Sequence, residues 1–264
     1  MPASTHEVIR PLSDWLVRGI RFTFFPCDWS VFPVADWWEA FAGEAADRVV
    51  NQPKECRVLA QGKWQDGELS VRAQPVRVDV NWKAVSADGP PDPPEMCFLG
   101  EARNTIAVFS QAVASFLRSE TLPPVSRLAF ACDMALEAEN DIEARKTLKQ
   151  YLPTVDFDPE VDTEMLWRIN RRRPSTCNVE GLQVNRLSIW RQETVRLESV
   201  ILQLMAENTQ RVDEEPKEAV YCVLSLDINT TPQHSTPFAD DALPGLMQEL
   251  ENLGVEIALR GDIR

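Results

Sequence analysis

Histidine is almost missing from this chain, which has two, His6 and His234, in 264 residues. That removes most histidine-based catalysis: a serine or cysteine nucleophile would depend on His234, and no Gly-x-Ser-x-Gly turn occurs. Glycine is scarce too, at ten residues. Neither a Gly-x-x-x-x-Gly-Lys loop nor a Gly-x-Gly-x-x-Gly turn is present, which excludes both common phosphate cradles. The six cysteines, Cys27, Cys56, Cys97, Cys132, Cys177 and Cys222, are too widely spaced for a zinc site or a redox dithiol. They read as small buried hydrophobes, Cys97 and Cys222 occupying matching apolar runs. No cofactor is expected.

No apolar run approaches the eighteen or so residues of a membrane span, and Met1 to Arg10, which carries His6, Glu7 and Arg10, lacks the apolar centre of a signal peptide. The expectation is a cytoplasmic protein without a membrane partner. Basic residues are outnumbered, 27 against 41 acidic, for a net charge of −14. A field of that sign opposes phosphate backbones, so nucleic acid is disfavoured as a generic ligand. What the chain does have is a core: 44% of its residues are hydrophobic, and eight are tryptophan. Disulfide or metal staples are unnecessary at this length.

The order of elements runs twice. In the first pass, Gly19 to Phe25 reads as a strand, and a helix from Pro33 to about Val50 follows, with Trp37, Trp38, Phe41, Ala45, Val49 and Val50 at helical spacing. Glu55 to Trp64 and Glu68 to Lys83 then form a hairpin, with Asp66-Gly67 supplying the positive φ of the turn. Val76, Val78, Val80 and Trp82 alternate with Arg77, Asp79, Asn81 and Lys83, the mark of a sheet with one wet face; Pro75 marks a bulge. A short strand at Met96 to Gly100 and a helix from Asn104 to Arg118 complete this pass.

The second pass has a strand at Ser126 to Leu136, a more polar helix from Asp141 to Leu152, a hairpin from Met165 to Arg171 and Gly181 to Leu204, and a strand at Ala219 to Asn229. Part of Ser199 to Asn208 reads equally well as helix. A helix from Asp241 to Leu253, stopped by Gly254, closes the pass. The fold class predicted is α+β: two βαβββα repeats in one wide antiparallel sheet, with helices packed on one face. Residues 1–18 are an N-terminal extension, 19–124 the first repeat and 125–264 the second, in one continuous domain or two.

The opening Arg10-Pro-Leu-Ser-Asp-Trp-Leu-Val-Arg-Gly-Ile-Arg-Phe22, the strand containing Arg127 with the long irregular middle behind it, and Leu224-Ser-Leu-Asp-Ile228 before a closing helix resemble a sporadically distributed family of uncharacterised bacterial proteins. The resemblance spans nearly the whole chain and brings no assigned activity or functional residue. Its patchy occurrence implies an accessory or mobile-element role, such as phage defence.

Four groups of residues are candidates for function. Asp133 and Asp227 each end an apolar strand, and paired strand-end acids hold Mg²⁺ for phosphoryl chemistry if they converge with a further carboxylate such as Glu137 or Asp79. The plainer role is an ordinary strand-end residue. Asp156, Asp158, Glu160, Asp162 and Glu164 alternate in an acidic strip that lacks the order of an EF-hand and is interrupted by Pro159; such a strip acts by charge on a basic partner. Arg171, Arg172 and Arg173 form the one concentrated basic segment, suited to carboxylate or phosphate but near enough to the acidic strip to pair with it in one hairpin. Most tryptophans belong to the core, while Trp15, Trp29 and Trp38 are candidate interface anchors.

The function these features favour is a non-enzymatic binding or scaffold subunit with a protein partner. The alternatives are a metal-dependent nuclease or phosphotransferase built on Asp133 and Asp227, and an acidic inhibitor or decoy of a basic protein.

Overall fold

A computed structural model describes residues 8–28, 32–52, 54, 57–85, 96–197, 201–205, 208–212, 217–234 and 236–262. After a 3-10 turn at Leu12–Asp14, the elements are β1 (Leu16–Pro26), α1 (Val34–Ala42), β2 (Arg48–Gln52), β3 (Arg57–Trp64), β4 (Gly67–Gln74), β5 (Arg77–Lys83), β6 (Gly100–Glu101), α2 (Ala102–Phe116), β7 (Val125–Ala138), α3 (Asp141–Tyr151), β8 (Leu166–Asn170), β9 (Arg173–Pro174), β10 (Gln183–Leu197), β11 (Ile201–Met205), β12 (Asn208–Val212), β13 (Lys217–Thr230) and α4 (Ala242–Arg260). The chain is α+β, with eleven strands in one wide sheet ordered β2-β3-β4-β5-β1-β7-β13-β10-β8; β6 pairs with β1, β9 with β10, and β11 with β12 in a separate hairpin. Every pairing among the described residues is antiparallel.

Alternation along the central strands decides which side is buried. Ile20, Phe22 and Phe24 of β1 share a face with Val78, Val80 and Trp82 of β5, Leu128, Phe130 and Cys132 of β7, and Leu224, Leu226 and Ile228 of β13, and all are buried. The helices lie on this face. Trp37 of α1 meets Phe24 edge-on, Phe41 meets Trp64, Phe109 and Phe116 of α2 meet Trp82 and Phe22, and Tyr151 of α3 stacks on Trp190 of β10. Gly254 of α4 lies against Phe130 and Leu226. Aromatic contacts of this kind contribute about 0.5–1.5 kcal/mol each beyond area burial.

Several local expectations are corrected. The first helix ends at Ala42, because Gly43 adopts φ 80° and returns its N–H to Glu39, and the residues expected to extend it to Val50 enter β2 instead, with Val49 exposed. The long strand from Glu68 to Lys83 is two strands with a turn at Pro75-Val76, where a bulge was expected. In the hairpin before it, Gln65 carries the positive φ, at 51°. Gly67 serves a different need: a Cβ there would lie 2.5 Å from both the Lys83 carbonyl oxygen and Leu99 Cδ2.

Met96 to Leu99 is irregular, and only Gly100–Glu101 pairs with β1. Within Ser199 to Asn208 the described residues 201–205 are strand β11, not helix. Helix α4 runs through Gly254 to Arg260. It stops at Gly261, φ 79°, whose Cβ would come within 2.2 Å of the Tyr151 carbonyl oxygen. Gly254 is accordingly a packing residue, not a stop: a Cβ there would meet Phe130 Cε1 at 3.1 Å. The boundary expected at 124/125 falls between α2 and β7, where β1 and β7 pair directly and carry the sheet across it.

Candidate functional site on the helix-free sheet face

On the side away from the helices, the strand residues between the buried ones form cross-sheet rows. Lys83, Gly19, Asp133 and Ser225 are one row across β5, β1, β7 and β13. Asn81, Arg21, Ala131 and Asp227 are the next, and Asp79, Thr23, Ala129 and Asn229 the third. One end of this face is covered: Met96 packs on Ala135, Tyr221 and Val223, with Phe98, Val195 and Ala219 around them, and its N–H donates to the Tyr221 hydroxyl at 3.3 Å.

The part that no other described residue covers is tied together by charge-assisted hydrogen bonds. Asp79, 4% exposed, accepts from Thr23 Oγ1 at 2.8 Å and Gln74 Nε2 at 3.1 Å, and pairs with Arg77 at 3.0 Å. Arg21 lies between Asp79, 4.0 Å from its Nε, and Asp227, which accepts from its Nη2 at 3.2 Å. Asn229 donates to Asp227, Asn185 to Asn229, and Asn170 and Arg172 to Asn185. The network thus runs from β4 to β8. It crosses β7 without a polar contribution because Ala129 and Ala131 leave room above that strand.

Nearby, Arg18 donates to both carboxylate oxygens of Glu193, which Arg191 also holds while donating to Ser225. Arg127 lies 4.2 Å over the Phe25 ring, where burial lowers its pKa and Asp227 partly restores it.

Asp133 and Asp227 do come together in one pocket, of about 230 Å³, lined by Gly19, Arg21, Asn81, Lys83 and Ala131 among others. They lie inside β7 and β13, not at the strand ends expected, and on these adjacent strands they are in diagonal register. Arg21 holds Asp227, and Asp79 is engaged by Thr23, Gln74 and two arginines, so the carboxylates expected to join them are committed elsewhere or, like Glu137, four residues further along β7. Among the described residues no group of three or more His, Cys, Asp or Glu side chains is placed to hold a metal ion. The chemistry this pocket offers is recognition of charge.

No family model, curated protein or solved structure matches the chain. The site therefore rests on its own geometry.

The other candidates fare differently. Trp15 and Trp38 are core residues, 0% and 1% exposed, and are corrected from anchors: Trp15 meets Tyr151 and Trp190 edge-on and donates to the Ala258 carbonyl, while Trp38 lies on the buried side of α1. Trp29 lies outside the described residues. Asp156, Asp158, Glu160, Asp162 and Glu164 are all exposed, in a turn where Asp158 accepts from the Glu160 N–H and Asp162 from the Asp158 N–H.

The arginine segment does not neutralise that strip. Arg171 makes a bidentate pair with Asp262 at 2.6 Å, Arg172 donates to Asn185, and Arg173 lines a groove along α4. Arg21, Asn81 and Lys83 are the site residues not singled out beforehand. The alternation of β5 had already placed Asn81 and Lys83 on the polar face, and an arginine inside Gly-Ile-Arg-Phe-Thr-Phe-Phe was the remaining signal.

Proposed function

We propose that the chain is a non-enzymatic protein-binding or scaffold subunit that docks a partner on the helix-free face of its sheet, in an accessory system such as phage defence, as two copies of a βαβββα unit with one continuous binding surface. The observation that carries this reading is the breadth and chemistry of the face. From β4 to β8 it spans six strand spacings, about 29 Å. That suits a standard interface of about 800 Å² per partner better than a small substrate. The face is fixed by its internal ion pairs and still presents Glu68, Asp133, Glu137, Arg72, Lys83 and Arg168, exposed charges of both signs.

Mixed charge held on a rigid sheet gives specificity and orientation to an encounter. The order of strands within each half, β3-β4-β5-β1 and β8-β10-β13-β7, supports the duplication. The metal-dependent alternative is weakened by the two cations that share the pocket with Asp133 and Asp227. The exposed acidic strip, Asp156 to Glu164, is a second contact for a basic region of the partner. The test is capture from the native host at low and moderate salt: a stoichiometric protein held at both supports docking on the face, and one lost entirely at moderate salt would instead favour the acidic-decoy reading.

A further inference from the structure

The pocket at the centre of the face has a charge pattern of its own. Its two cations, Lys83 of β5 and Arg21 of β1, stand on one side, and its two carboxylates, Asp133 of β7 and Asp227 of β13, on the other. Formal charge sums to zero; Arg21 and Asp227 pair with each other across β7 at 3.2 Å, which leaves Lys83 and Asp133 as the unpaired cation and anion of the pocket among the described residues. The floor is made of small residues, Gly19 and Ala131, whose register places them between the charged groups. Lys83 and Asp133 flank Gly19 directly, two strand spacings or about 9.6 Å apart at Cα.

Neither Lys83 nor Asp133 makes an ion pair or side-chain hydrogen bond with another described residue, leaving three donors on one and a full set of carboxylate acceptors on the other. Arg21 is already engaged, its Nη2 by Asp227 and its buried Nε facing Asp79 Oδ1 at 4.0 Å.

We propose that this pocket binds a small zwitterion of the α-amino acid class, its carboxylate held by Lys83 and Asn81, and its ammonium by Asp133 with Asp227 beside it. A phosphate would meet the two carboxylates, and a divalent cation the two basic groups. A molecule carrying both an ammonium and a carboxylate can turn each toward the group of opposite charge. At about 230 Å³ the pocket is smaller than those that enclose drug-sized ligands, which fits a single amino acid or a dipeptide. The inference stands on the pocket alone and does not depend on a protein partner.

Calorimetric titration of the purified chain with each of the twenty L-amino acids and with glycylglycine, at pH 7, tests it. The expected result is saturable binding of at least one, with a Kd below about 1 mM; whether the amino acids or the dipeptide bind best identifies the source. The matching amino acid amide, which lacks the carboxylate, and the N-acetyl amino acid, which lacks the ammonium, are each expected to bind at least tenfold more weakly. Lys83→Met and Asp133→Asn are expected to weaken binding at least tenfold with unchanged melting temperature, both positions being exposed. The proposal is overturned if no compound gives saturable heat, if the amide and N-acetyl forms bind as well as the parent, or if both variants bind like the wild type.

Discussion

Arg21 of β1 reaches over β7 to Asp227 of β13, donating from Nη2 to the carboxylate at 3.2 Å, and the residue it passes above is Ala131, in register with both. A bridge between strands that are not neighbours needs a small side chain on the strand between them. It couples the two halves of the chain through side chains on the same face where β1 and β7 couple them through the backbone.

Ala131→Leu is therefore expected to destabilise the fold by about 1–3 kcal/mol, by displacing the guanidinium from its acceptor. Urea denaturation of Ala131→Leu, Arg21→Gln and the double variant checks this. The account predicts that the second change adds little to the first, because both remove the same bond; full additivity would show that the bridge contributes nothing.

Two glycines should respond to alanine in opposite directions. At Gly67 the new Cβ meets the Lys83 carbonyl oxygen, a backbone atom that cannot move aside cheaply, so Gly67→Ala is expected to cost about 1–3 kcal/mol. At Gly245, inside α4, a Cβ meets nothing within 4 Å, and Gly245→Ala is expected to stabilise by about 0.5 kcal/mol through the lower entropy of the unfolded chain. Chemical denaturation midpoints decide both.

Stability should depend on pH through Glu251, which receives a hydrogen bond from Ser110 where α4 meets α2. Burial raises its pKa above the usual glutamate value, and the Ser110 hydroxyl offsets only part of that. With the folded-state pKa above the unfolded one, the folded chain holds the proton more tightly. The contribution is fully present below the unfolded-state pKa and is lost as pH rises through the folded value. Glu251→Gln, neutral throughout, is expected to be more stable than the wild type at pH 7–8, with the gap narrowing toward pH 4. A gap that does not change with pH would contradict this.

The sheet was legible in the sequence wherever apolar and polar residues alternate, as from Arg77 to Lys83, since period-two patterning alone assigns faces. The ends of helices were less so. The apolar spacing of α1 continues past Gly43 into Val49 and Val50, and only the left-handed conformation of that glycine separates helix from strand. Gly254 reads as a stop by residue type, yet it is required by the Phe130 ring pressed against the helix.

The site itself was half legible. Asp133 and Asp227 were singled out, but as strand-end residues, whereas β7 and β13 continue past them, and what surrounds them depends on strand order: Arg21 meets Asp227 from 206 residues away, a relation no local pattern carries. Trp15 is the same case in the core. Its burial comes from Tyr151 and Trp190, both far along the chain.

The central claim is that a protein docks on the helix-free face, and the most direct measurement compares the wild type with an Arg168→Glu, Glu137→Lys variant as bait in the native host lysate. Both residues are exposed on that face and lie outside the zwitterion pocket, so the variant leaves the fold and the pocket intact. The account predicts a stoichiometric protein retained by the wild type and lost or depleted at least tenfold on the variant. Equal retention on both baits, or no protein retained by the wild type, would contradict it.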